Sequence, residues 1–109
     1  MINRSAIAVR PRQPYIDWLL TLDICDLRTP STEDATLYLV PWCEDTDDVA
    51  RVMAQLHEQI FLHELTGRSP QEETWPQDRS LEVFKQWFDV EFFYGVCDAA
   101  GGPIQSDDY

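Results

Sequence analysis

Apolar residues follow two rhythms along this chain, a helical one and an alternating one, and the switches between them mark its elements. "SAIAVRP" (Ser5–Pro11) is short, partly β-branched and stopped by proline, which predicts a buried strand. Pro14 stands where a first helical residue tolerates a missing N–H, and Tyr15, Trp18, Leu19 and Leu22 recur at helical spacing. An amphipathic helix is predicted from Pro14 to about Asp23, with Ile16 and Leu20 widening its stripe toward contact on more than one side. "DLRTPSTED" (Asp26–Asp34) reads as a polar, turn-rich loop. "ATLYLVP" (Ala35–Pro41) is the clearest strand, with Leu37, Tyr38, Leu39 and Val40 in sequence and a terminating proline.

The longest helix is predicted from Asp47 to about Thr66. Val49, Val52, Met53, Leu56, Ile60 and His63 fall on one face, and Gly67 supplies the stop. A second stripe of Ala50, Ala54, Phe61 and Leu65 lies roughly 120° around the axis. "SPQE" (Ser69–Glu72) fits a capping box, with Ser69 as N-cap, Pro70 at N1 and Glu72 at N3. It predicts a single turn ending before Trp75-Pro76, because a residue before proline avoids the helical region. In "DRSLEVFKQWFDVEFFYGVCD" (Asp78–Asp98), Leu81, Phe84 and Phe88 mark a helix face. From Val90 onward Phe92, Tyr94 and Val96 alternate with Glu91, Phe93 and Cys97 as a strand would.

These elements, in the order β-α-β-α-α-β, predict an α/β fold: a small single-domain sandwich of a three-stranded mixed sheet and three helices. If the first two strands are neighbours, they are expected to run parallel through a right-handed crossover. A length of 109 residues suits one compact domain, placed at residues 1–98, with a flexible tail over 99–109. No run approaches a membrane span, and the N-terminus lacks the apolar core of a signal peptide. Cys25, Cys43 and Cys97 are odd in number and widely spaced, which favours reduced thiols and a cytoplasmic location.

Charge changes the picture more than composition does. The chain carries 20 Asp and Glu against 8 Lys and Arg, a net charge of −12. Residues 1–28 hold four arginines against three aspartates, so nearly all the excess lies beyond the first helix. Such a surface repels nucleic acid and anionic lipid and attracts cationic partners. Direct nucleic-acid binding is disfavoured, membrane association is not expected, and a basic protein partner is. Glu44, Asp45, Asp47 and Asp48 form the candidate acidic patch for that partner. The same four also suit a helix start, where free N–H groups and the dipole favour negative charge by about 0.3–1 kcal/mol each. Asp45 with Asp48 makes an aspartate version of a capping box. Imitation of DNA phosphates is a special case of the acidic-surface reading, but it needs carboxylates about 6–7 Å apart along one face, by analogy with strand rise over two residues. The long helix alone does not supply that path.

Signatures of chemistry are scarce. A calcium loop starting at Asp45 would put Leu56 at its twelfth position and has no central glycine. In "HEQIFLHEL", His57 and His63 are six residues apart, about 120° around a helix, whereas zinc helices use spacings of three or four. His57 is expected exposed and His63 partly buried and paired locally. No nucleophile elbow, phosphate loop or dinucleotide glycine pattern is present. No metal, cofactor or catalytic residue is assigned. The alternative to an interaction domain is a small hydrolase or metal-dependent enzyme using His63 with Glu64, Cys43 or Asp47.

Aromatic density near the C-terminus exceeds what a small core requires. Trp87 and Phe93 are the candidate apolar anchor, rimmed by Asp89 and Glu91 and suited to a partner or to a homodimer. The segments "INRSAIAVRPRQPYIDWL", "LYLVP" and "WPQDRSLEVFKQWFDVEFF", spread over most of residues 2–94, resemble a family of small acidic bacterial proteins. That family has no assigned reaction, cofactor or partner. The resemblance implies a bacterial cytoplasmic origin and one compact domain, and transfers no functional residue.

Overall fold

The computed structural model of the chain describes residues 2–22 and 32–103. Strand β1 (Arg4–Pro11) leads into helix α1 (Gln13–Thr21), followed by strand β2 (Thr36–Pro41) and the long helix α2 (Thr46–Thr66). A 3₁₀ turn (Glu72–Thr74), helix α3 (Leu81–Trp87) and strand β3 (Phe88–Phe93) complete the domain. The three helices and three strands are those the periodicities predict, and the single turn expected between α2 and α3 is the 3₁₀ turn, which ends before Trp75-Pro76. Asp23 at the expected end of the first helix, Cys25 and residues 26–31 of the expected loop lie outside the described residues, as do residues 104–109 of the expected tail. Residues 99–103 are exposed.

The sheet has the order β2-β1-β3 and is antiparallel throughout, not mixed. β1 and β2 are neighbours, yet they pair antiparallel, Ile7 opposite Tyr38, so the expected parallel crossover is not formed. Alternation of side chains is identical in parallel and antiparallel ladders; direction depends on where the connecting chain returns, which periodicity does not encode. β3 follows α3 with no intervening loop and runs antiparallel along the other side of β1, Ile7 opposite Phe92. The ladder is prolonged by Arg12 N–H to the Trp87 carbonyl (2.8 Å) and Ile2 N–H to the Val96 carbonyl (2.9 Å).

One face of the sheet carries Ser5, Ile7, Val9, Val40, Phe88 and their neighbours, and the helices cover it. Tyr15 and Trp18 of α1, Val52, Met53, Ile60, Phe61 and Leu65 of α2, and Phe84 of α3 complete the core. Its centre is aromatic: Phe61 meets Phe84, Trp87 and Phe88 at ring-centroid distances of 5.8, 5.5 and 5.5 Å. Ala50 and Ala54 of the expected second stripe are exposed, so that stripe narrows to Phe61 and Leu65. Of the two residues expected to widen the α1 stripe, Ile16 is buried and Leu20 is exposed. Phe88 belongs to the strand rather than to the helix, and is buried all the same.

Polar groups inside are matched to partners. The fully buried Ser5 hydroxyl donates to the Tyr94 carbonyl (2.9 Å) and accepts from the Cys43 N–H (3.0 Å), tying all three strands together at one end. Ser69 is not the expected N-cap; Gln71 holds that position. Ser69 is buried, its hydroxyl pairing with Thr74 Oγ1 (2.9 Å) and its carbonyl accepting the Trp75 indole N–H (2.9 Å).

Candidate functional site

The four carboxylates of the acidic patch sit together at the start of α2, and they divide by role. The Asp45 side chain caps the helix by accepting the Asp48 N–H (2.9 Å). Asp48 reaches back to accept the Glu44 N–H (3.1 Å) and also pairs with Arg51. The reciprocal pattern is a capping box displaced by one residue, since Asp48 serves Glu44 rather than Asp45. Glu44 and Asp47 are left exposed to solvent.

The histidines exchange their expected environments. His57 is half-buried, its Nδ1–H shared between the Met53 and Ala54 carbonyls (3.0 and 3.1 Å), with its ring 6.5 Å from Phe84. His63 is exposed but not isolated: its Nδ1 lies 2.8 Å from the Tyr38 hydroxyl, which lies 2.8 Å from Glu64 Oε1. A hydroxyl has one proton to give. With that proton on the carboxylate side, the phenol accepts from His63 Nδ1–H and leaves Nε2 as the open nitrogen. Burial, with the adjacent Glu64 carboxylate, pushes the Tyr38 hydroxyl well above its ordinary pKa, so it stays neutral.

The other partners proposed for hydrolysis do not join this chain. Cys43 is fully buried, donates to the Pro41 carbonyl (3.4 Å), and has its thiol pKa raised by burial and by Asp48. Asp47 is sixteen residues before His63 on one helix, about 24 Å along its axis by helical rise. Among the described residues no three His, Cys, Asp or Glu side chains converge as metal ligands would.

Nor are Trp87 and Phe93 brought together. Trp87 packs on the helix side, with Tyr15 and Trp18 at centroid distances of 6.2 and 6.0 Å. Phe93 projects from the opposite face of the sheet, 40% exposed, because an odd separation from Phe88 turns it away from the core. The expected rim is present on Phe93's side but is already neutralised: Glu91 pairs with Arg10 (3.0 Å) and Asp89 with Arg12 (3.6 Å).

Phe93's companions are residues the sequence reasoning did not single out. By register, Ala6 lies between Leu39 and Phe93, and Ala8 between Leu37 and Glu91. The two alanines are covered by these larger neighbours, while Leu37 and Leu39 are 60% and 51% exposed. A shallow hollow of about 300 Å³ lies over Ala6, Leu37, Phe93 and Val96. Beyond Pro41 the chain leaves the strand through exposed Trp42 and buried Cys43 to exposed Glu44 ahead of α2. The available signal was the unbroken apolar run Leu37–Val40, which does not alternate as a one-sided strand should.

A second feature borders β2. Its outer edge and α2 enclose a groove of about 600 Å³, floored by Tyr38 and Val40 and walled by Leu56, Gln59, Leu62 and His63. No helix among the described residues is long and apolar enough to cross a membrane. No family model, curated protein or solved structure matches the chain.

Proposed function

We propose that this chain is a non-enzymatic protein-interaction domain of the bacterial cytoplasm that docks a basic protein partner on the uncovered face of its sheet. The observation that carries this reading is the placement of Leu37, Leu39 and Phe93 side by side in solvent on a protein of net charge −12. Apolar area of this kind supplies contact, and the excess of carboxylates on the molecule supplies direction and speed of approach. Glu44 and Asp47 are the steering residues of the acidic patch, since Asp45 and Asp48 are occupied in capping α2. Phe93 is the anchor; Trp87, half-buried against the core on the helix side, is not.

The test is calorimetric titration of a partner recovered from host extract, at low and at high ionic strength. Affinity is expected to fall severalfold as salt rises, E44Q/D47N is expected to flatten that dependence, and Phe93→Asp is expected to abolish binding. Affinity indifferent to salt, or unchanged by Phe93→Asp, refutes the reading.

A further inference from the structure

We infer that the outer edge of β2 is an isologous dimerisation surface, on which a second copy of this chain adds its own β2 antiparallel to make a six-stranded sheet. The inference is independent of the basic-partner reading, because it concerns the edge of the sheet rather than its face and needs only the chain itself.

The direction of the β2 backbone groups follows from the ladder. Arg12 N–H bonds to the Trp87 carbonyl, in line with the β1–β3 register, so even-numbered residues of β1 direct their N–H and C=O groups to β3. Odd-numbered residues of β1 therefore face β2, pairing Ser5 with Val40, Ile7 with Tyr38 and Val9 with Thr36. Leu37, Leu39 and Pro41 are left with their backbone groups turned outward. Pro41 thus places its missing N–H where no ladder bond is lost, the position an edge strand allows. Among the described residues, no strand pairs with this edge.

Symmetry and proline together favour a register centred on Tyr38 over one centred on Leu39. A two-fold axis perpendicular to the sheet makes the added strand antiparallel and keeps all helices on one side. With Tyr38 on the axis, Leu37 faces Leu39 of the second copy, and each such pair exchanges both N–H···O bonds. Shifting the axis to Leu39 would set Leu37 against Pro41, which has no N–H to give. The Tyr38-centred register also juxtaposes leucines on the open face, and both grooves between β2 and α2 meet beneath the axis.

Electrostatics favours a second copy over a basic strand at this edge. A quarter of the chain is charged (26%), yet none of the described residues lining the groove is Asp, Glu, Lys or Arg. The neighbouring Glu64 carboxylate is engaged by Tyr38. Two molecules of charge −12 repel each other wherever their carboxylates face, and this edge is where they can approach without that cost. A peptide recognised by its positive charge would find no counter-charge on the groove lining.

The experiment is sedimentation equilibrium across a concentration series, with amide hydrogen exchange on the same samples. Mass is expected to rise from 12.7 kDa toward twice that value, and the Leu37 and Leu39 amides are expected to gain protection as it does. Gln59→Glu adds a charge to each facing groove and is expected to weaken association at least tenfold while the thermal transition of the monomer is retained. In a C25S/C97S background, the L37C/L39C pair is expected to cross-link into covalent dimers under mild oxidation, and L37C alone is not. A monomer at every concentration overturns the inference, including one whose Leu37 and Leu39 amides are protected by another segment or by an added extended peptide. So does a dimer insensitive to Gln59→Glu whose L37C/L39C form fails to cross-link.

Discussion

Phe88 and Phe93 open and close the same strand, and their fates differ completely: 2% of Phe88 is accessible against 40% of Phe93. The first is sealed among Tyr15, Phe61 and Phe84, at centroid distances of 5.0, 5.5 and 5.1 Å. The second shares a water-facing surface with Leu37 and Leu39. The two faces of the sheet are thus both apolar but do different work. The covered face supplies the folding free energy, and the open one holds apolar area that folding leaves exposed and a partner can still bury.

Substitution is expected to separate the two faces by magnitude. Phe88→Ala should cost about 3–5 kcal/mol in chemical denaturation, a large fraction of a domain's ordinary stability, whereas Phe93→Ala should cost less than about 1 kcal/mol. Alkaline titration provides the next largest effect. Burial, then the Glu64 carboxylate, raises the Tyr15 hydroxyl from 10.0 to about 12. The folded state keeps the proton that the unfolded chain has lost, so the contribution is full below pH 10 and disappears as pH rises to about 12. A loss of roughly 2–3 kcal/mol across that window is expected in melts recorded at successive pH values. Tyr38, whose hydroxyl is also held above its ordinary pKa by burial and Glu64, adds to the loss in the same window, so Tyr15→Phe should remove only its own share of the slope, and no substitution on the open face should alter it.

Smaller effects sharpen the contrast. Ser5→Ala leaves the Cys43 N–H and the Tyr94 carbonyl without their buried partner, and about 1–3 kcal/mol should be lost in denaturant titration. Asp45→Ala should cost about 1 kcal/mol of thermal stability as the cap of α2 is removed. Glu44→Gln should change stability by less than about 0.5 kcal/mol, because the side chain is exposed and its backbone N–H still bonds to Asp48. That difference between two adjacent acids separates the structural use of the patch from its proposed use in steering.

The elements themselves were legible because each carries its own period or cap. Tyr15 and Trp18 mark α1, the Asp45 cap and Gly67 bound α2, and alternation from Val90 marks β3. Strand direction was not legible, since Ile7 would alternate identically beside a parallel or an antiparallel Tyr38. The site was legible only in pieces. Asp45 and Asp48 read correctly as a helix start, and Phe93 was correctly placed on the face opposite Phe92. The partial burial of Trp87 was not legible, because the α3 pattern does not show that α1 brings Tyr15 and Trp18 against it. The exposure of Leu37 and Leu39 was not legible, because a continuous apolar strand ordinarily signals cover on both sides.

The junction of Trp87 and Phe88 has a consequence for how this sequence can vary. With the last residue of α3 bonded directly to the first residue of β3, no slack exists to absorb a change in length. One inserted residue would rotate the strand by half its pleat relative to the helix, sending Phe92 out and driving Phe93 inward. Length changes at this join are therefore tolerable only in pairs, so helix and strand are locked in phase with each other.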